Sequence, residues 1–275
     1  MVVKEFTEEK SEKAFGEIIV LKIKSWYNFH DSRKQMYQKG NTTMEHIGII
    51  GAMEEEVAIL KEKMTDVTVT KKAGMEFYHG ELKGRNVVVV RSGIGKVNAG
   101  ICTQILADDF HVDAVINTGV AGSLKAEINI GDIVLSTDTV HHDMDASEFG
   151  HAIGQVPRMD TYAFPADEKL RTLAEEVCRQ VNPEIQVFQG RVVSGDQFVA
   201  EKAAKAKIIE TTKGYCTEME GAAIGQAAYL NKIPYLVIRA ISDKADDSAH
   251  VDYPVFEKEA IRHTINLLEN MLPRL

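Results

Sequence analysis

Cysteine is scarce in these 275 residues. Cys102, Cys178 and Cys216 are odd in number and far apart, and they form neither a CxxC pair nor a zinc-like spacing. This usage fits a reduced, cytoplasmic chain rather than a disulfide framework. No apolar run approaches the roughly 20 residues that a membrane-spanning helix needs, so no membrane partner is expected. Basic residues are the minority, 32 Lys and Arg against 41 Asp and Glu, giving a net charge of -9. That balance excludes the concentrated basic face of a nucleic-acid binder. Internal repeats, Gly/Ser linkers and low-complexity tracts are also missing. What remains is 44% hydrophobic residues spread along the chain, enough for the core of one large α/β domain.

The charge is unevenly distributed. Residues 1–43 hold eight Lys and Arg against six Asp and Glu, a net +2, which leaves residues 44–275 at net -11. Six of the nineteen aromatics, including the only tryptophan, Trp26, also fall in this leader. A secretory signal needs an uninterrupted apolar centre, and Ile18-Ile19-Val20-Leu21 is only four residues long. A mitochondrial-type presequence is poor in acids, which Glu5, Glu8, Glu9, Glu12 and Glu17 contradict. Residues 1–43 therefore read as an N-terminal extension, a weak amphipathic helix or a disordered arm. A start of translation at Met44, directly before an apolar run, is the other reading.

From Met44 onward, short apolar runs alternate with amphipathic stretches. The pattern predicts strands over 46–51, 67–71, 75–81, 86–91, 113–118, 131–140, 186–194 and 233–241. Helices are predicted over 53–64, 96–109, 167–181, 201–210, 218–230 and 254–271. Runs such as Val87-Val88-Val89-Val90 are apolar on both faces, as in a sheet covered by helices on each side. The expected architecture is a single three-layer α/β/α domain over 44–275 with a mixed central sheet. Gly74, Gly80 and Gly84 suggest antiparallel hairpins between residues 67 and 91.

Chemistry-bearing residues gather where predicted strands end. Gly51-Ala52-Met53 leads into Glu54-Glu55-Glu56; acids in a first helical turn complement the helix dipole, but the carboxyl edge of a sheet is also where sites form. Ser92-Gly93-Ile94-Gly95-Lys96 matches neither a GxxxxGK[ST] loop nor GxGxxG. In Asn117-Thr118-Gly119-Val120-Ala121-Gly122-Ser123, small residues would let a ligand approach the backbone closely. His141-His142-Asp143 has a metal-like look, yet adjacent side chains on a strand point to opposite faces, so no shared ion is expected. Ser194-Gly195-Asp196-Gln197-Phe198-Val199 leaves an aromatic in a loop, either core or a platform for a planar base. Glu218-Met219-Glu220 in an extended stretch would aim both acids one way, fit to accept from a sugar diol. Ser242-Asp243 ends a buried strand, where a carboxyl of raised pKa could donate a proton and a helix cap is the plainer role.

Taken in order and at their spacings, GAMEEE, SGIGK, NTGxAG, SGDxF, EMEGAA and RAISD resemble the 5′-methylthioadenosine/S-adenosylhomocysteine nucleosidases of the purine and uridine phosphorylase superfamily. The resemblance covers residues 46–270 and implies a phosphorylase/hydrolase-like fold. It implies that Glu56 positions and deprotonates the attacking water and that Asp243, oriented by Ser242, protonates N7 of adenine. Glu220 would grip the ribose hydroxyls, with Glu218 beside it and Met219 packed on the sugar. Phe198 would stack on the base and the Val199 backbone would read its edge. Val120, Ala121 and Gly122 would lie against the ligand, and Ile94, Phe149 and Tyr253 would line the pocket around the sugar and 5′ substituent. It further implies adenine nucleosides as ligands, no cofactor or metal, and a homodimer whose partner chain completes the 5′ pocket. Two positions depart from the pattern: Val120 replaces a common serine, and His151 replaces a common tyrosine.

Two rival readings stay open at this stage. A nucleoside phosphorylase needs arginines for phosphate, for which Arg91 and Arg239 are candidates. An aminofutalosine hydrolase would use the same carboxylates. A non-catalytic nucleoside binder would have no need of a proton donor.

Overall fold

The structure, a computed structural model, describes residues 44–275, and the readings made for residues 1–43 lie outside the described residues. Ten strands form one mixed sheet: β1 (His46–Gly51), β2 (Thr65–Lys72), β3 (Met75–Leu82), β4 (Arg85–Arg91), β5 (Ala114–Ser123), β6 (Ile133–His141), β7 (Phe164–Pro165), β8 (Val187–Ser194), β9 (Cys216–Glu218) and β10 (Tyr235–Asp243). Six α-helices accompany them: α1 (Glu54–Glu62), α2 (Lys96–Asp108), α3 (Glu168–Val181), α4 (Lys202–Thr212), α5 (Gly221–Asn231) and α6 (Ala249–Met271).

Period-two alternation sorts each central strand onto two cores. Ile47 and Ile49 of β1 and Val87 and Val89 of β4 pack with Val57 and Leu60 of α1 and with α3 and α6. Ile50 of β1 and Val88 and Val90 of β4 pack instead with Cys102 and Leu106 of α2 and Ile224 of α5. The result is the expected helix–sheet–helix arrangement. Strand β3 pairs antiparallel with both β2 and β4, as the glycines between 67 and 91 suggested. β1 pairs in parallel with both β4 and β5.

One half of the sheet differs from an open doubly wound sheet. β10 pairs with both β5 and β6, β6 pairs with β8, β8 with β9, and β9 returns to β5. These pairings close a ring of strands. The short β9 completes it, and it was not legible as a strand because residues 216–218 adjoin a helical pattern; α5 accordingly starts at Gly221 rather than 218. The last helix begins at Ala249, five residues before the expected 254. Acids at Asp246, Asp247 and Asp252 suit that N-terminus.

Candidate active site

The carboxyl ends of β5 and β10, the segments that follow β1 and β8, and the short β9 border one cleft of about 370 Å³. Its lining gathers Glu56, Ile94, Val120, Ala121, Gly122, Phe198, Val199, Glu218, Met219, Glu220, Ser242, Asp243 and Tyr253. The side chains come from seven separate segments. Only the pairing of β5 with β1, β9 and β10 brings them together.

Glu56 shows why three adjacent acids have different fates. Glu54 faces outward and pairs with Lys61 at 2.9 Å. Glu56 turns inward and is 3% exposed. Its Oε2 accepts from the backbone N–H of Ala52 at 2.6 Å and of Met53 at 3.0 Å, and its Oε1 accepts from Val120 N–H at 3.2 Å. Burial raises its pKa, while Arg239 and these three N–H groups oppose the rise. The carboxylate is thus held in one orientation and kept basic.

Asp243 is 2% exposed. Its Oδ1 accepts from Ala245 N–H at 2.7 Å and its Oδ2 accepts from the Ser242 hydroxyl at 2.9 Å. Burial raises its pKa over the opposing effect of those two donors, the direction a proton donor needs.

Glu218 and Glu220 divide their roles. Glu218 accepts from the Ser194 hydroxyl, the Glu220 and Gly221 N–H groups and the Arg239 guanidinium, so its oxygens are occupied within the protein. Burial pushes its pKa up, but Arg239 and the Ser194 hydroxyl outweigh it and the carboxyl stays ionised. Both acids line the cleft, Glu218 as a carboxylate anchored within the protein and Glu220 with acceptor capacity left. Glu220 accepts from Gly95 N–H at 2.8 Å and lies 3.8 Å from Arg239. Burial, reinforced by the neighbouring Glu218, pushes its pKa up to about 7.

Sequence reasoning missed the central part of Arg239, which it treated only as a phosphate candidate. Arg239 is 2% exposed and bonds Glu218 and, at 2.6 Å, Asn117 Oδ1. It is one cation beneath three carboxylates, so one of them retains a proton near neutral pH. Its cue was a charged residue inside the apolar strand Tyr235–Asp243. Arg91, the other candidate, is exposed and lies 3.8 Å from Glu54. Among the described residues of the cleft lining, none is lysine or arginine.

The glycines of β5 also make room for charged groups of the protein itself. A Cβ on Gly119 would sit 2.4 Å from Glu56 Oε1 and 2.8 Å from Arg239 Nη1, and one on Gly122 would sit 2.8 Å from Asp243 Oδ1. Their missing side chains admit the protein's own charged groups.

Phe198 and Tyr253 meet edge to face across the mouth, with ring centroids 6.0 Å apart. Phe149 does not join them. It ends a one-turn 3-10 helix (Ser147–Phe149), is 86% exposed and lies outside the cleft of its own chain. The loop after β6 carries it away from the strand edge, and His151 two residues on is likewise absent from the lining. His141 and His142 diverge: His141 Nε2 bonds Gln226 at 2.9 Å, and His142 Nδ1 lies 3.4 Å from Gln197. Among the described residues, no group of three His, Cys, Asp or Glu side chains could hold a metal ion.

This sheet and its acid-lined edge cleft place the chain in the phosphorylase superfamily, whose family model matches residues 46–273. The chain is 45% identical over 232 residues to the 5′-methylthioadenosine/S-adenosylhomocysteine nucleosidase of Anoxybacillus flavithermus, covering 84% of this chain and 99% of that protein. The corresponding nucleosidase of Colwellia psychrerythraea, solved with adenine, superimposes with a TM-score of 0.81 at 41% identity, covering 85% of this chain and 96% of that one. A futalosine hydrolase of Helicobacter pylori superimposes with a TM-score of 0.79 at 33% identity, covering 84% and 99%. The chain belongs to the 5′-methylthioadenosine/S-adenosylhomocysteine nucleosidase family.

The shared proton has a measurable consequence. A folded-state pKa of about 7 for Glu220, against 4.5 for an ordinary glutamate, means the folded protein binds a proton that the unfolded chain releases. Stability is then expected to fall as pH rises from about 4.5 to about 7, flattening above it. Thermal melts across that range check this, and Glu220→Gln should remove the slope that the group contributes.

Proposed function

We propose that the protein hydrolyses the N-glycosidic bond of 5′-methylthioadenosine and S-adenosylhomocysteine, and of 5′-deoxyadenosine, to adenine and the 5-substituted ribose. The observation that carries the reading is the convergence of buried Glu56, Glu220 and Asp243 on one cleft whose described lining holds no cationic side chain. Cleavage builds positive charge on the ribose and negative charge on the departing purine. Carboxylates near the sugar stabilise the first, and an acid at N7 relieves the second.

Asp243 gives its proton to N7 as the C1′–N9 bond breaks and its electron pair passes to the purine. A water oxygen bonds to C1′ and Glu56 takes the water's proton. Glu220 accepts from the ribose hydroxyls, with Met219 against the sugar. Phe198 stacks on adenine and the Val199 backbone meets its edge.

Phosphate as the nucleophile fits poorly, because Arg239 is committed to Glu218 and Asn117 and Arg91 lies elsewhere. Adenine release is expected at the same rate with and without inorganic phosphate; a dependence on phosphate would overturn the hydrolytic reading. Aminofutalosine is the second substrate to assay, on the strength of the similarity to the Helicobacter pylori futalosine hydrolase.

The chain is proposed to act as a cytoplasmic homodimer in methionine salvage. Ile94, Val97, Ile101 and Phe149, 55%, 72%, 43% and 86% exposed, supply apolar surface for a second copy. Phe149, remote from its own cleft, is then free to cover the partner's 5′ pocket.

A further inference from the structure

The His141-His142-Asp143 run has no part in the chemistry above, yet Asp143 joins three segments of the site. Its Oδ1 accepts from Lys96 Nζ at 2.6 Å, and its Oδ2 accepts from Asp196 N–H at 3.0 Å. Asp196 closes the ring, its Oδ1 accepting from Lys96 N–H at 2.8 Å. The exit of β6, the turn into α2 and the exit of β8 are thereby tied together.

Two of those segments carry groups of the cleft. Gly95, beside Lys96, donates its N–H to Glu220. Gln197, Phe198 and Val199, directly after Asp196, line the cleft. Asp143, Lys96 and Asp196 do not line it themselves. The Lys96 and Asp143 side chains are 20% and 25% exposed, so their attraction is less screened than that of a surface pair. The loop after β8 is also held by Val199, buried among Leu124, Val140 and Val193, and by the Phe198–Tyr253 ring contact. Gly195 N–H reaches Glu218 O at 3.1 Å, Gln197 touches His142, and the Phe198 ring is 48% exposed.

We propose that Asp143, through Lys96 and Asp196, is a positioning residue that holds loop 195–199 in register with Glu220, so that base-stacking and sugar-binding groups face one ligand together. The proposal rests on the reading of the cleft as an adenine nucleoside site. Asp143 touches no substrate. Its contribution is to pre-order the loop, so its loss appears in binding more than in the chemical step.

The test compares wild type with Asp143→Ala, Asp143→Asn, Lys96→Met and the Asp143→Ala/Lys96→Met double variant. Three quantities are read: amide hydrogen exchange of residues 195–199 without ligand, calorimetric affinity for adenine, and KM and kcat for methylthioadenosine. Asp143→Ala is expected to speed exchange in 195–199 at least about tenfold while β1 and α5 stay protected. It should weaken adenine binding and raise KM about tenfold, with kcat within about threefold. Asp143→Asn, which keeps one acceptor, should recover part of the loss, and the double variant should be no worse than Asp143→Ala because both changes open one ring. Lys96→Met keeps the test available should Asp143→Ala fail to fold. Unchanged exchange and adenine affinity in Asp143→Ala and Lys96→Met, or a fall in kcat with KM untouched, would overturn the proposal. A wild-type protein that neither binds adenine nor releases it would overturn the functional reading instead, and loop exchange would still decide the role of Asp143.

Discussion

Replacing Asp243 with asparagine is expected to lower kcat for methylthioadenosine about 10³-fold while KM moves by less than about fivefold, since a positioned general acid contributes about 10²–10⁴ to a rate. Asparagine preserves the shape: its carbonyl oxygen can still accept from Ala245 N–H, now 2.7 Å from Asp243 Oδ1, while its NH2 group takes the place of Oδ2 and donates to the Ser242 hydroxyl oxygen. What it lacks is a proton to give. Burial raises the pKa of Asp243, the direction required of a group that is to supply a proton to a departing purine. A second substrate separates this role from simple binding. A 5-methylthioriboside of p-nitrophenol departs as a stable anion without protonation, so Asp243→Asn should cleave it at near the wild-type rate. Near-normal turnover of methylthioadenosine by the variant would show the proton comes from elsewhere.

Glu56→Gln is expected to abolish hydrolysis to a similar extent, about 10³-fold or more, and to leave adenine affinity within about threefold. The variant amide cannot take a proton from water. Its NH2 group must also face a backbone donor, because Ala52, Met53 and Val120 all direct N–H groups at this carboxylate. A modest loss of thermal stability should accompany the loss of rate. Single-turnover adenine release and calorimetric titration with adenine distinguish the effects. Loss of adenine binding along with rate would place Glu56 in base recognition rather than beside the water.

These two acids were legible because each sits where an apolar strand ends. The strand Ile47–Ile50 and the strand Tyr235–Ile238 are continuous, and a carboxylate just past a buried strand has few reasons to be there. The sheet, its covered faces and the 67–91 hairpins were legible for the same reason, since period-two burial is written locally. Arg239 was not. It reads as a strand interruption, and its meaning depends on Asn117 and Glu218, 122 and 21 residues away. Gly119 and Gly122 were legible as places of close approach, but the groups that approach are Glu56, Arg239 and Asp243 from other elements. Phe149 shows the converse. Its order in the chain matched a pocket residue, and the loop after β6 takes it to the surface.

The sequence alone determined the layered α/β architecture and the acidic character of the body, because hydrophobic period and residue type are local properties; the candidate carboxylates came from the ordered motifs and their resemblance to a family. Only the tertiary structure decided which carboxylates share a charge. Closure of β5, β9 and β10 around Arg239 commits Glu218 to an ion pair and raises the pKa of Glu220. That division depends on distances and burial among residues far apart in the chain, and Coulomb energy and desolvation are set by those distances.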